Sequence, residues 1–448
     1  MRTVSIIIPI YNKETYLEEC LKSILQQSYE DIEVICINDC SQDRSYEILQ
    51  KFAKQDKRVK IVNNAKNLGA AYARNLGLTM AEGEYVLFLD ADDIFAFDLV
   101  ERAYERCKRD ELDIVLYDYE QYNNVTGKTQ SYAIPLPMIK RLPGEVFSAK
   151  DIEGFSFQLC IAAPWIKMYR RKFLVEKKMR FQDLSSSNDA LFGKMTLLLA
   201  ERIGYLDRSL VKYRSNAKEQ ISNNRVDGVL NFAKASLQIK EEMQKYNVYD
   251  KNAKSFHTYA LKTMLMHLYR TRSEYMEASY EQITEGLQSL FSESDMESLF
   301  INGYEAMWLK EFYATPIQCH EQRAINNEYY YIFKYQMKKV NELWQLISGK
   351  KLETVLWGYG KKGKLLTEQW EKMGLPIHYI VDGKPMDERD RAICLPKQLP
   401  VGKYAILVPS AVFIKGILKT IQTLKGEFMV IDVQSYLENG FALEECLF

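Results

Sequence analysis

Residues 85–93 read YVLFLDADD, in which five apolar residues lead directly into a cluster of three carboxylates. A continuous apolar run rich in β-forming residues predicts a buried strand of a parallel sheet. If the backbone stays extended, Asp90 and Asp92 project from one face and Asp93 from the other. These acids repel one another, so we expect a compensating cation, and a divalent ion also held by substrate phosphates fits best. The alternative is a helix N-cap, which needs one acid rather than three.

Length, charge and histidine content limit the classes of protein to consider. The 448 residues are too many for one core and predict two or three domains. Lys plus Arg and Asp plus Glu number 60 each, so no overall positive field would recruit a nucleic acid. None of the four histidines precedes His257, so chemistry in the N-terminal region must use carboxylates, a metal ion or backbone dipoles.

The sequence has no pattern typical of export or of membrane spanning. The apolar run after Met1 is broken by Pro9 and Asn12, and no run approaches the length of a signal peptide core or a bilayer span. The eight cysteines are scattered without CxxC spacing, as is typical of reduced thiols. We therefore expect a cytoplasmic protein rather than a membrane-embedded polymerase, although a local surface patch could still contact the inner face of a membrane.

Apolar strand patterns alternate with helical patterns from residue 4 to residue 117, which predicts a doubly wound, mainly parallel sheet. Polar side chains follow four of the predicted strands: Tyr11 and Asn12, then Asp39, then Asn67, then Asp90, Asp92 and Asp93. Ligands of such sheets bind beyond the carboxyl ends of the strands. The sequence therefore predicts one crevice at these ends. The alternative, that polar residues only decorate loops, leaves the lack of similar carboxylates at the strand starts unexplained.

Two of these residues suggest specific contacts. The carboxylate of Asp39 could accept the imide N–H of uracil or thymine, which cytosine lacks, or it could form a local Asx-turn. Arg74, one turn into the helix after Gly69, could bind a diphosphate through a charge-assisted bond, or it could pair with an acid of the site. The residues alone leave both alternatives open.

Four ordered segments resemble the family 2 glycosyltransferases. They are SIIIPIYN at 5–12, NDCSQD at 38–43, NLG and ARN between 67 and 75, and LDADD at 89–93. That family consists of inverting enzymes of the type A glycosyltransferase fold, which use nucleotide-diphosphate sugars and Mn²⁺ or Mg²⁺. The resemblance is close over residues 3–117. It implies that Asp39 contacts the base, that Asp90 and Asp92 surround the ribose and the metal, and that Asp93 is a further metal ligand.

Later segments resemble the same family with one departure. Trp165 and Lys167 stand in a Trp-x-Lys segment, on the side where the acceptor would bind. Residues 188–189 stand where the family usually has Glu-Asp, with the Asp as catalytic base; Asp189 matches, but Asn188 removes a carboxylate that would raise the pKa of its neighbour. The alternative is that Asp189 only caps its helix. Arg214 follows a predicted strand and could contact the leaving diphosphate.

The resulting set of site residues falls into four groups. They are donor-binding Pro9, Tyr11, Asn12, Asp39, Asn67, Arg74, Asp90 and Arg214, metal-binding Asp92 and Asp93, catalytic Asp189, and acceptor-side Trp165 and Lys167.

The rest of the chain predicts three further features. Residues 118–161, rich in Tyr, Asn and Pro, predict an irregular acceptor-side insertion. Residues 223–349 are helical by pattern, with an apolar stripe typical of a core, a dimer interface or a membrane-surface face. Residues 350–448 predict a small Rossmann-like α/β domain, since GYGKKG at 358–363 follows a strand and precedes a helix, with Asp382 after the next strand. The glycines could bind a nucleotide or only permit close helix packing.

The sequence therefore predicts three domains, 1–222, 223–349 and 350–448. The function predicted is transfer of a sugar from a nucleotide diphosphate, with UDP favoured, to a hydroxyl of a glycan or lipid-linked acceptor in surface polysaccharide synthesis, with Mn²⁺ or Mg²⁺ as cofactor. A non-catalytic protein that binds nucleotide sugars or glycans is the alternative. A dinucleotide-dependent oxidoreductase has only the glycine loop in its favour.

Overall fold

The structure is a computed structural model. It describes residues 3–215, 228–270, 285–286, 288–291, 337–358, 361–382, 393–409, 414–433 and 436.

A mixed sheet of ten strands organises the N-terminal part of the chain. Its strands are β1 (Val4–Ile10), β2 (Ile32–Asn38), β3 (Val59–Asn63), β4 (Tyr85–Phe88), β5 (Ile94–Phe95), β6 (Ile114–Asn123), β7 (Thr129–Tyr132), β8 (Val146–Phe147), β9 (Lys167–Arg170) and β10 (Ile203–Ser215). The order is β3-β2-β1-β4-β9-β6-β10-β5, with β7 beside β6 and β8 beside β10. The predicted α/β architecture with a mainly parallel sheet is confirmed.

The structure describes the following helices between residues 3 and 270. They are α1 (Leu17–Leu25), α2 (Ser45–Gln55), α3 (Gly69–Met80), α4 (Leu99–Arg109), α5 (Leu136–Lys140), α6 (Ser156–Leu159), α7 (Arg171–Glu176), α8 (Ala190–Leu199), α9 (Gly228–Lys245) and α10 (Tyr249–Arg270). Short 3₁₀ helices span Ala149–Ile152 and Pro164–Ile166. The main core lies between the sheet and helices α1, α2 and α4.

Strand β1 continues through Pro9, although the sequence predicts that this proline stops it. β1 pairs with β2 up to Ile10, whereas its pairing with β4 ends at Ile7. Proline cannot donate to a strand ladder, but a position beyond the β4 pairing tolerates that loss. The longer strand carries its last residues to the edge where the polar loops lie.

The segment after residue 117 is more regular than the sequence predicts. β6 runs on to Asn123, and β7 pairs with it antiparallel, with the rings of Tyr119 and Tyr132 stacked 5.0 Å apart. The prediction of irregular structure here is therefore wrong in part. The Tyr and Asn residues that suggested a loop pack across neighbouring strands instead, as aromatic residues often do in sheets.

A second sheet, wholly parallel, lies in the C-terminal part of the chain. Its strands are β11 (Glu353–Trp357), β12 (Tyr379–Val381), β13 (Ile393–Cys394), β14 (Lys403–Val408) and β15 (Glu427–Asp432), with helices α11 (Met337–Gly349), α12 (Lys361–Lys372) and α13 (Ile414–Ile421) and a 3₁₀ helix Pro396–Gln398. The order is β13-β12-β11-β14-β15. This order, 3-2-1-4-5 along the chain, is that of doubly wound nucleotide-binding folds.

The glycine loop of this second sheet is only partly described. Gly358 has φ of +102°, and a Cβ on Gly363 would lie 2.0 Å from the Gly358 carbonyl oxygen. The positive φ accounts for Gly358, and close helix packing accounts for Gly363. Residues 359–360 lie outside the described residues, and nucleotide binding by this loop stays a prediction.

The chain divides into two compact units. The first consists of residues 1–134 and 142–292, and the second of residues 135–141 and 293–448. Within the first unit, α9 packs on α8 and α10 packs on α6. The predicted helical part thus begins inside the first unit, and the three-domain division stays a prediction. In the parts of the chain that the structure describes, no helix has both the length and the apolar character to cross a bilayer.

The packing of α3 on β1 yields a first prediction. A Cβ on Gly77 would lie 2.4 Å from Cγ2 of the fully buried Ile7. We expect Gly77→Ala to lower the free energy of unfolding by about 1–3 kcal/mol, since a packed core yields little space. Thermal unfolding followed by circular dichroism measures the change.

The matched control for Gly77→Ala is Met80→Ala at the exposed end of the same helix, which should change the midpoint much less. An unchanged midpoint in Gly77→Ala would mean that α3 does not lie this close to β1.

Candidate active site

The loops after β1 and β2 are fastened to each other. Asn12 has φ of +49°, a left-handed conformation that asparagine tolerates, and its Oδ1 accepts a bond of 2.8 Å from the Gln42 amide. The backbone N–H groups of Asn12 and Lys13 donate to Ser41 Oγ at 3.1 Å and Ser45 Oγ at 2.8 Å. The two loops therefore form one rigid rim. Asn12, predicted to bind the donor, builds this rim.

Asp39, at the end of β2, holds the loop that leads into α3. Its buried carboxylate accepts bonds from Asn64 Nδ2 at 2.8 Å, from the Leu68 amide at 3.0 Å, and from the Gly69 amide at 2.7 Å. The alternative of a local Asx-turn is wrong, because these partners lie 25 to 30 residues further along the chain. Three donors leave acceptor capacity on this carboxylate, and base recognition stays a prediction.

Three other donor-side residues lie at the same edge of the sheet. Pro9 lies opposite Ile37, Tyr11 has 43% of its surface exposed, and the exposed Asn67 accepts a bond of 3.0 Å from the Gly69 amide. Asn67 therefore shapes the start of α3, and the side chain of Tyr11 is exposed.

Arg74 joins the end of β4 to the segment before α8. Its Nη2 lies 2.7 Å from Asp90 Oδ1, and its Nη1 donates to Asn188 Oδ1 at 3.1 Å. The guanidinium is 7% exposed, so both bonds are largely shielded from water. Of the two predicted roles for Arg74, the contact with an acid of the site is present. Asn188 keeps a hydrogen bond to the arginine where a glutamate would have placed a second charge.

Asp189 precedes α8 without capping it, because its side chain makes no capping hydrogen bond. The capping alternative therefore has no support. Burial and the negative charge of Asp90 raise the pKa of its carboxyl, while Arg74 and Lys167 act in the opposite direction. Asn188 removes one carboxylate that might raise this pKa, and burial comes first among the causes that do raise it.

Asp92 and Asp93 point to different partners. Asp92 Oδ2 lies 2.8 Å from Lys13 Nζ, with 12% and 15% of the two side chains exposed. Asp93 is almost fully buried, and its Oδ1 accepts a bond of 2.8 Å from the Arg214 backbone amide. Burial and the charges of Asp92 and Asp90 raise the pKa of Asp93 well above the usual range.

Lys13 was not among the predicted site residues. Its position directly after Tyr11 and Asn12, at the end of a strand, is the sequence signal that could have identified it.

Arg214 bonds to several groups inside the fold, and its contact with a diphosphate stays a prediction. Its Nε donates to the Asp92 carbonyl at 2.9 Å, its Nη1 to Asn124 Oδ1 at 2.8 Å, and its Nη2 to Glu19 Oε2 at 2.6 Å. The guanidinium also lies 4.8 Å from the centre of the Tyr16 ring. With every nitrogen bonded and 6% of the residue exposed, Arg214 ties β10 to the loop after β4. The sequence cannot reveal this, because the partners come from distant segments.

Trp165 and Lys167 also face inward, and their assignment to the acceptor side stays a prediction. The Trp165 ring stacks on Tyr213 at 5.1 Å and is 6% exposed. Lys167 is fully buried, and its Nζ donates to the carbonyls of Ile161 at 3.0 Å and Ala163 at 2.8 Å. Burial lowers the pKa of this ammonium group. Both side chains shape the segment before β9.

A second buried lysine, which the sequence analysis missed, holds the same segment. Lys194 Nζ on α8 donates to the carbonyls of Phe157 at 2.8 Å and Cys160 at 2.7 Å, and burial lowers its pKa to about 8. Gly193 beside it leaves no room for a side chain, because a Cβ would lie 1.8 Å from the Ala162 carbonyl oxygen. These contacts fix the helix that follows Asp189. A lysine inside an otherwise apolar helix was the available signal.

The described residues contain no group of three or more His, Cys, Asp or Glu arranged to hold a metal ion. Mg²⁺ usually takes one or two protein carboxylates and completes its shell with water and substrate phosphates. Asp92 can supply one such carboxylate. Asp90, two residues earlier in the sequence, can supply a second, because 26% of its side chain is exposed. Asp93 Oδ1 accepts a bond from the Arg214 backbone amide, and its buried Oδ2 has no hydrogen-bond partner. The donor set therefore fits an ion shared with a diphosphate, and a role for Asp93 as a metal ligand stays a prediction.

The comparisons with known proteins agree with this geometry. The family model described as Glycosyl transferase family 2 matches residues 5–176. The glycosyltransferase GlyG of Streptococcus pneumoniae serotype 4 is 31% identical over 221 residues, covering 47% of this chain and 70% of GlyG. An uncharacterized glycosyltransferase, EpsJ of Bacillus subtilis strain 168, is 33% identical over 214 residues, covering 48% of this chain and 61% of EpsJ.

A solved structure shares the fold. The crystal structure of S. aureus TarS 1–349 superposes with a TM-score of 0.54 at 22% identity, covering 73% of this chain and 93% of that chain. Since the identity is low, this likeness concerns the fold alone. The sequence match to the family model and to GlyG shows that the chain belongs to glycosyl transferase family 2.

Proposed function

We propose that this chain is an inverting glycosyltransferase that moves a sugar from a nucleoside diphosphate to a hydroxyl of a glycan or lipid-linked acceptor in surface polysaccharide synthesis. The observation that carries the proposal is the position of Arg74. It hydrogen-bonds both Asp90 at the end of β4 and Asn188, the neighbour of Asp189. One guanidinium thus links the donor-side acids to the candidate base.

Asp189 is the proposed general base. It takes the proton of the acceptor hydroxyl while that oxygen attacks the anomeric carbon from the face opposite the diphosphate. The bond from the anomeric carbon to the diphosphate oxygen breaks, and the nucleoside diphosphate leaves with the electron pair. A single displacement of this kind inverts the anomeric configuration. The raised pKa of Asp189 supports this role, because a base works best when its pKa is close to the working pH.

The leaving diphosphate is the second group that must be stabilised. Mn²⁺ or Mg²⁺ held by Asp92 and the diphosphate would neutralise the charge that develops there. Asp90, oriented by Arg74, is the proposed contact to the ribose. Asp93 and Arg214 hold the loop after β4 in place, as their interior bonds indicate.

A uridine nucleotide is the proposed donor class. Asp39 lies at the strand edge, and its backbone amide donates to the Ile10 carbonyl at 2.8 Å, so its carboxylate lies next to the loop that carries Tyr11. A carboxylate there suits the imide N–H of uracil. One TarS complex was solved with UDP-GlcNAc, so that donor is the first to assay. We also propose a cytoplasmic location, where a nucleotide sugar would be supplied.

The role of Asp189 is tested by Asp189→Asn. We expect kcat to fall by a factor of about 10²–10⁴, the usual contribution of a general base, while the Kd for the nucleotide stays unchanged. Product formation from a panel of nucleotide sugars, together with calorimetric nucleotide binding, measures both.

Asp183→Asn serves as the control for that experiment, because Asp183 is exposed on the same segment. Full transfer by Asp189→Asn would remove Asp189 as the base. An unmutated chain that binds nucleotides but transfers from no donor would favour the non-catalytic binding protein.

The pH dependence of transfer tests the surroundings of Asp189. Its carboxyl must be ionised to accept a proton, so kcat should fall as the pH drops through its raised pKa. Asn188→Glu places a second carboxylate beside Asp189, which should raise the pKa of Asp189. We therefore expect the acid limb of the profile of kcat against pH to move to higher pH by about one unit. The profile of kcat against pH gives the shift.

Asn188→Gln keeps the amide and should leave the acid limb where it is. If Asn188→Glu and Asn188→Gln have the same profile as the unmutated chain, the residue that limits transfer at low pH is not Asp189.

Ligand-induced stabilisation tests the donor and the ion together. We expect UDP with Mn²⁺ to raise the thermal midpoint more than either alone, because each completes the binding site of the other. Asp92→Asn should abolish the contribution of Mn²⁺ and retain part of that of UDP. A midpoint shift with UDP that is independent of any metal would count against an ion at Asp92, and a larger shift with GDP or CDP would refute the uridine preference.

A further inference from the structure

Lys13 already occupies the carboxylate that the proposed ion needs. Its Nζ lies 2.8 Å from Asp92 Oδ2, and most of both side chains is shielded from water. Of the three acids after β4, Asp90 pairs with Arg74 and Asp93 bonds to the Arg214 backbone. The compensating cations that the acid cluster requires are thus partly supplied by the protein itself.

The position of Lys13 is built into the fold. Its backbone amide donates to Ser45 Oγ at 2.8 Å, and the next amide, of Glu14, donates to Asp43 Oδ2 at 2.9 Å. The rim therefore fixes the Cα of Lys13. The four-carbon side chain of lysine is flexible and can carry its ammonium group to another position without a change in the backbone, which a guanidinium held in a planar pair does less easily.

An ammonium group and a divalent ion compete for the same carboxylate. A cation at hydrogen-bond distance from Asp92 repels a second, doubly charged cation at that oxygen. A nucleoside diphosphate favours the ion in this competition for Asp92. Its negative charge attracts the Lys13 ammonium group, and its oxygens complete the coordination shell of the ion. No such exchange is required at Asp90 or Asp93.

We propose that Lys13 is a positioning residue that holds Asp92 as an internal counter-ion and makes metal binding depend on the nucleotide. Without a nucleoside diphosphate, Lys13 neutralises Asp92 and the site has low affinity for a divalent ion. With the diphosphate present, Lys13 turns to the phosphate oxygens and releases Asp92. The inference rests on the proposed function for its ligand, a nucleoside diphosphate, and it assigns an order of binding to that site.

Direct Mn²⁺ binding to the full-length chain tests the proposal in the absence of sugar donor and acceptor. Free Mn²⁺ is measured by electron paramagnetic resonance, with and without UDP. For the unmutated chain we expect Mn²⁺ affinity to rise at least tenfold with UDP. For Lys13→Met we expect Mn²⁺ alone to bind about tenfold tighter than to the unmutated chain, the size of effect that one adjacent charge has on an ionisation equilibrium. The enhancement by UDP should shrink correspondingly, since coupling between two ligands is reciprocal.

Three further variants make the result specific. Lys22→Met removes an exposed lysine that pairs with Glu18, and it should behave as the unmutated chain. Lys13→Arg should restore the low affinity for Mn²⁺ alone. Asp92→Asn should lower Mn²⁺ affinity in the presence of UDP. Circular dichroism checks folding, and Lys13→Gln replaces Lys13→Met if the latter is unfolded.

Two results would overturn the proposal. One is equal affinity of Lys13→Met and the unmutated chain for Mn²⁺ alone, and the other is Mn²⁺ binding that UDP does not change. Sugar transfer without a metal, combined with no Mn²⁺ binding, would refute this inference and leave the proposed function intact. The expected Mn²⁺ results in a chain that transfers from no donor would support the inference and refute the proposed function.

Discussion

The hydrogen bonds of Arg74 to Asp90 and Asn188 are the contact on which the rest of the site depends. They cross from the end of a central strand to the segment that leads into α8, and they do so in a largely buried place where a charge needs a partner. Without a cation at this position, Asp90 and Asp189 would repel each other at close range. Arg74 is brought there by α3, whose close packing on β1 is set by Gly77.

Charge compensation explains the whole acid cluster better than a metal ion alone does. The sequence shows three acids and leads to the expectation of an external cation. In the folded chain Lys13 pairs with Asp92, Arg74 with Asp90, and the Arg214 amide with Asp93. In the proposed reaction, a divalent ion would offset the charge of the diphosphate, because the folded chain itself already pairs these acids. Asp93 holds the loop after β4, whereas Asp90 and Asp92 pair with side-chain cations.

The segment before β9 shows how a buried charge can be used to shape a backbone. Lys167 and Lys194 each donate to two carbonyls of residues 157–163. These bonds give hydrogen-bond partners to carbonyl groups of an irregular segment. Gly193 lets α8 approach that backbone closely. A motif lysine can therefore be required by the fold, and the acceptor-side assignment of Lys167 stays a prediction.

The sequence by itself determined the alternation of strands and helices, the polar residues at the strand ends, and the family motifs, because all of these are local patterns along the chain. It also indicated the parallel character of the C-terminal sheet, which the structure confirms. Only the tertiary structure decided which carboxylate meets which cation, because Lys13, Arg74 and Arg214 reach their partners across many residues of chain. The inward orientation of Trp165 and Lys167 and the bonds of Asp39 have the same reason: a side chain's direction depends on what packs against it.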